Sequence, residues 1–113
     1  MVRKIVLILF PLLIVADIVC QQENERITCT YFIQRSDNAH GLTVEFHWYS
    51  PKGDDDRIKR FKVPPFYGSV YDYRFVPGRE EGRWRVVVRE LETNKSATTF
   101  FDLNGSSEEF FAD

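Results

Sequence analysis

The segment 42–50, Leu-Thr-Val-Glu-Phe-His-Trp-Tyr-Ser, constrains the fold more than any other stretch of this chain. Leu42, Val44, Phe46 and Trp48 alternate with Thr43, Glu45, His47 and Tyr49. A period of two places the first set on one face of an extended strand and the second set on the other, which predicts a strand with one buried face.

The pattern recurs along the chain. In 26–35, Ile27, Cys29, Tyr31 and Ile33 oppose Thr28, Thr30 and Gln34. In 83–91, Trp84, Val86 and Val88 oppose Arg83, Arg85 and Arg89. In 97–103, Thr99, Phe101 and Leu103 oppose Thr98, Phe100 and Asp102. In 69–76, Tyr71, Tyr73 and Phe75 alternate with Asp72 and Arg74. Segment 58–63 is basic and irregular, as suits an edge strand whose lysines discourage pairing with another chain. Pro64-Pro65 ends it, because neither proline can donate to a sheet ladder.

Composition supports the same reading. In residues 21–113 the 16 aromatics outnumber the 13 Ile, Leu and Val, and alanine appears only at 39, 97 and 112. All six glycines fall where the alternation breaks off, so they punctuate segments of strand length. The expected fold is all-β, a small antiparallel β-sandwich of about six to seven strands. Its core should hold Phe46, Trp48, Trp84, Val86 and Phe101, with the two tryptophans at the centre. The cluster Phe66, Tyr67, Tyr71, Tyr73 and Phe75 is expected mostly in that core. Any of these rings left exposed would mark a recognition surface.

The first twenty residues read differently, with 16 hydrophobic residues against 33 in the following 93. Arg3 and Lys4 precede an apolar run from Ile5 to Val15, interrupted by Pro11 and ended by Asp17. The run is short for a membrane span of about 20 residues, and the pattern is that of a secretory signal peptide over 1–20 before a single domain over 21–113. An uncleaved N-terminal anchor is the alternative. Cleavage after Cys20 would leave Cys29 a lone buried thiol. Cleavage after Ala16 would keep both cysteines, and a disulfide could form in an oxidising compartment. A lipid on Cys20 is the third possibility, although Val19 and Asp17 do not fit the residues that usually precede a lipidated cysteine. The chain is expected to be exported, periplasmic or extracellular.

Two segments taken together resemble a known type of domain. One is His47-Trp48-Tyr49-Ser50-Pro51-Lys52-Gly53. The other is Gly82-Arg83-Trp84-Arg85-Val86-Val87-Val88, followed by Thr99-Phe100-Phe101-Asp102-Leu103. Over roughly 42–103 the chain is similar to immunoglobulin-like sandwich modules of bacterial envelope proteins of unknown function, which end in a Gly-x-Trp-x-Val-x-Val strand and a closing strand with Phe. The resemblance implies an immunoglobulin-like sandwich and no catalytic residues.

The chemistry of the residues points to binding. Residues 21–113 hold 13 Lys and Arg against 16 Asp and Glu, which excludes a bulk electrostatic grip on nucleic acid. There are two histidines, His40 and His47, and no Gly-x-Ser-x-Gly nucleophile motif, so no enzyme is expected. Asp54-Asp55-Asp56 lacks the spacing of a calcium loop and reads as a solvated turn. No metal or cofactor is expected. Arg57, Lys59, Arg60 and Lys62 on one strand, with Arg83, Arg85 and Arg89 on another, form the candidate binding surface. The expected partner is another envelope or extracellular protein, or an anionic surface. Membrane contact would come only through the signal segment or a lipid on Cys20. The alternative function is a small carrier of a lipid or other hydrophobic ligand, with an apolar pocket in the sandwich. The sequons Asn94-Lys95-Ser96 and Asn104-Gly105-Ser106 lie in expected loops and bear on function only in a eukaryotic secretory route.

Overall fold

The computed structural model describes residues 17–34 and 40–104. Among these residues seven strands are present: β1 Ile18–Glu23, β2 Arg26–Phe32, β3 Leu42–Tyr49, β4 Arg57–Val63, β5 Ser69–Phe75, β6 Gly82–Glu90 and β7 Ser96–Leu103. All pairings are antiparallel. One sheet has the order β1-β2-β5 and the other β4-β3-β6-β7, and no helix occurs among the described residues. The sequence-based expectation of a small all-β sandwich therefore holds. The alternation in β3 is realised residue by residue, with Leu42, Val44, Phe46 and Trp48 buried.

Between the sheets lie Phe46, Trp48, Trp84, Val86 and Val88 from one side and Ile27, Cys29 and Tyr31 from the other. Phe101 is only partly buried. It stacks on Trp84 at 5.9 Å between centroids and meets Trp48 edge-on at 6.0 Å, so it joins the two indoles. Gly82 starts β6 at φ 129°, and a Cβ there would come within 3.0 Å of Pro51. The glycine lets the turn before β6 pass close to the loop that follows β3.

β1 is the strand that sequence reading placed within the expected signal peptide. Ile18 is buried, and Cys20 sits directly opposite Cys29 and is joined to it by a disulfide. Cys29 is thus fully buried as expected, but as half of a disulfide and not as a thiol. The described sandwich begins at Ile18, ahead of the expected 20/21 boundary, in keeping with the alternative that retains both cysteines. One sulfur cannot carry both that bond and a lipid, so the disulfide and the lipid on Cys20 are mutually exclusive alternatives. Closing so short a loop contributes about 2–3 kcal/mol, chiefly by restricting the unfolded chain. Residues 1–16 of the expected signal peptide and the 105–113 tail lie outside the described residues.

The sandwich is asymmetric at its flanks. β1 lies against β7 and covers one flank. The second sheet is one strand wider than the first, so its surplus falls at the other flank, where β4 projects beside β5. β4 and β5 follow one another in the chain but belong to different sheets and do not pair.

Candidate functional site

The register of the wider sheet divides the seven basic residues singled out in the sequence. Arg60 lies opposite Glu45, Lys62 opposite Thr43, Arg85 opposite Tyr49 and Arg89 opposite Glu45. Arg83 lies opposite Asp102. Directly opposed residues of an antiparallel pair share a face, so Arg60, Lys62, Arg83, Arg85 and Arg89 all stand on the outer face. Arg60 donates to Glu45 at 2.8 Å and Arg83 to Asp102 at 3.1 Å. The bond to Asp102 holds the exposed Arg83 guanidinium above its usual range. Arg85 lies 4.0 Å from the ring centroid of Tyr49, which stacks on His47 at 3.8 Å. Among the strand residues of this face five cations meet two carboxylates, Glu45 and Asp102, a surplus of three. Beside the face, Glu92 accepts from the Thr43 backbone N–H and hydroxyl, both at 2.8 Å, which holds its carboxyl below the usual range.

Arg57 and Lys59 do not join that surface. They lie opposite Trp48 and Phe46, on the inner face of β4 at the open flank. Arg57 reaches across to β5 and donates to Asp72 at 2.6 Å and to the Tyr73 carbonyl at 3.0 Å. Asp72 also accepts the Trp48 indole N–H at 2.8 Å. A buried indole N–H needs an acceptor, and a buried carboxylate needs compensating donors, so Asp72 meets the indole and one amino group of Arg57 and is itself compensated by both.

This arrangement reverses the expected facing of β5. Asp72 is 4% exposed and Arg74 8%, whereas Tyr71 and Phe75 are each 58% exposed. Phe66 and Tyr67, in the β4–β5 connection, are also exposed. The expectation that this aromatic cluster is mostly core is corrected, and Tyr73 alone among its members on β5 is half-buried. Arg74 packs beside both indoles and donates to Asp55 at 2.9 Å, and Arg79 donates to the same oxygen at 2.7 Å. Burial, and then the nearby Arg57 charge, lower the Arg74 guanidinium from its usual range.

The aspartate turn is accordingly bonded as well as solvated. Besides the Asp55 pairs, Asp56 accepts from the Ser50 N–H at 2.7 Å and the Ser50 hydroxyl at 2.9 Å, which holds its carboxyl below the usual range. At the opposite end of the sandwich, Tyr31 donates to the buried Glu90 at 2.6 Å, linking the sheets. Burial, with this carboxylate beside it, raises the Tyr31 hydroxyl above its ordinary range. Among the described residues no group of three or more His, Cys, Asp or Glu is placed to hold a metal ion.

The open flank forms two adjoining hollows. A groove of about 600 Å³ runs between β4 and β5, walled by Phe61, Val63, Val70 and Tyr71 with Lys59 at its side. A cleft of about 340 Å³ is lined by Arg57, Lys59, Arg74, Phe75 and Arg79. Lys59, Asp72 and Tyr73 line both. Asp55, Asp72, Arg74 and Arg79 were not singled out as site residues in the sequence. The available signal was Trp48 itself, whose expected burial calls for a polar group on the facing strand. Comparison with protein-family models, curated proteins and solved structures finds no match.

Proposed function

We propose that this chain is an exported, immunoglobulin-like sandwich that works by binding and not by catalysis, and that its outer four-stranded face takes an anionic partner surface. The observation that carries this reading is charge segregation. A chain of formal charge −2 gathers Arg60, Lys62, Arg83, Arg85 and Arg89 on one sheet face. Such a face attracts an acidic protein surface or an anionic polymer despite the net charge. Tyr49 and the exposed Phe100 and Ile58 add apolar contact area beside the cations.

Export is supported by the disulfide, which is compatible with an oxidising compartment. The start of β1 at Ile18 favours a cut after Ala16. The immunoglobulin-like assignment rests on seven strands in two facing antiparallel sheets and on the buried Trp48 of the third strand.

The test is retention on a dextran sulfate resin at low salt. The wild-type chain should be held and then released by added salt. The triple variant Lys62→Gln/Arg85→Gln/Arg89→Gln, altered only at exposed positions, should pass through with an unchanged thermal melt. Equal retention of the two proteins, or none for the wild type, would reject the outer face as the working surface.

A second reading, a carrier of a hydrophobic ligand, is favoured by the 600 Å³ groove. Its expected location changes. Trp48, Trp84 and Phe46 fill the space between the sheets, and the apolar hollow lies at the open flank.

A further inference from the structure

We infer that the open flank between β4 and β5 binds a single-chain amphiphile with an anionic head group. The apolar chain would lie in the groove, and the head in the cleft formed by Arg57, Lys59, Arg74 and Arg79. The inference deepens the carrier reading and does not need the outer-face partner; Lys62 is the one outer-face cation that also borders the groove.

The argument starts from strand number. Three strands face four, and β1 covers β7, so among the described residues the inner face of β4 has no strand fully across from it. Phe61 and Val63 on that face look toward the flank, and Val70, Tyr71 and Tyr67 supply the other wall. The groove volume of about 600 Å³ lies in the range of small-molecule sites, about 300–1,000 Å³. Exposed rings beside an apolar hollow are what a ligand of similar polarity would cover.

The second part is charge. The cleft gathers four cations, and the carboxylates bonded to them are two, Asp55 and Asp72. Asp55 is shared between Arg74 and Arg79, and Asp72 serves Arg57, so among the described residues Lys59 is left with a ring contact to Phe61 and no carboxylate. Among the described residues the Nε–H groups of Arg57 and Arg79 are buried without an acceptor and Asp55 Oδ2 without a donor, so the unmet donors outnumber the unmet acceptor by two to one. A partly buried group of cations that outnumbers its anions, and leaves donors unmet, is stabilised by a further anion. Guanidinium groups suit phosphate and carboxylate oxygens in particular.

The third part is contiguity. Lys59, Asp72 and Tyr73 border both hollows, so the cationic cleft continues into the apolar groove. An inorganic anion would use one half and a neutral alkyl chain the other. Only a molecule that joins the two properties end to end uses both.

The purified exported chain would be titrated, by heteronuclear NMR, with decyl phosphate, decyl glucoside and inorganic phosphate, all below micelle-forming concentrations. Decyl phosphate should shift the resonances of Lys59, Phe61 and Tyr71 and bind about tenfold or more tightly than either other probe, about 1.4 kcal/mol or more. Lys59→Glu, at an exposed position, should abolish the preference over decyl glucoside without changing the thermal melt. Tyr71→Ser should weaken both alkyl probes, and Arg89→Glu on the outer face should change neither. Equal affinity for decyl phosphate and decyl glucoside, or for decyl phosphate and inorganic phosphate, would overturn the inference. So would a loss of binding in Arg89→Glu, or no binding of decyl phosphate at all. The outer-face reading survives every one of these results except binding that follows Arg89, which would instead assign it this ligand.

Discussion

β3 and β5 carry the same kind of alternation, an aromatic followed by a polar or charged residue, and face opposite ways. On β3 the rings Phe46 and Trp48 turn inward, and Glu45 and His47 turn outward. On β5 Asp72 and Arg74 turn inward, and Tyr71 and Phe75 turn outward. The position of each strand accounts for the difference. β3 is internal, flanked by β4 and β6, and its inner face lies over the centre of the sandwich. β5 is an edge strand beside the surplus strand β4, where Arg57 and the Trp48 indole both need an acceptor. Inward charges on an edge strand also make it a poor template for pairing with another chain. The reversal thus protects the edge and, in the same step, places rings on the surface that borders the groove.

Three measurements would break or sharpen this contrast. Trp48→Ala removes the ring at the centre and leaves Asp72 short of a donor. It should cost about 3–5 kcal/mol in denaturant melts, a large share of the roughly 5–15 kcal/mol of a small domain. A loss below about 1 kcal/mol would contradict the packing described for β3. Asp72→Ala leaves the indole N–H and the Arg57 guanidinium without their shared acceptor. About 2–3 kcal/mol should be lost, since bonds to charged groups contribute more than neutral ones. Neutral behaviour in that variant would show that the inward carboxylate is not what orients β5. Tyr71→Ser, at an exposed ring, should change stability by no more than about 0.5 kcal/mol. A penalty of core size would return Tyr71 to the inner face and restore the alternation first expected for this strand.

Much of the architecture was legible in the residues. Strands β3, β6 and β7 declared both their extent and their facing, and β2 its facing but not its end, which falls at Phe32 and not beyond Ile33, because each sets apolar residues against a largely polar face. Burying the wrong face there would strand charges such as Glu45 or Arg83 in the interior. β1 was hidden because Ile18, Val19 and Cys20 resume, after Asp17, the apolar run that begins at Ile5, and no change of pattern marks where the strand starts. The basic surface was half legible. The residues were visible, but Arg57 and Lys59 sit at odd-numbered positions of β4 with Phe61 and Val63, whereas Arg60 and Lys62 alternate with them. An irregular strand with charge on both faces gives no preference for either.

By itself, then, the sequence determined that this is a chain of short strands with two buried tryptophans, a hydrophobic start and a cationic excess on two of its strands. Those properties follow from local periodicity and from the large difference in cost between burying an apolar and a polar side chain. The tertiary structure decided the facing of β5, the pairing of Cys20 with Cys29, the split of the basic residues and the open flank. Each of these depends on what stands opposite, whether an indole N–H seeking an acceptor, a thiol within bonding distance or a sheet one strand narrower than its neighbour, and no local pattern encodes that partner.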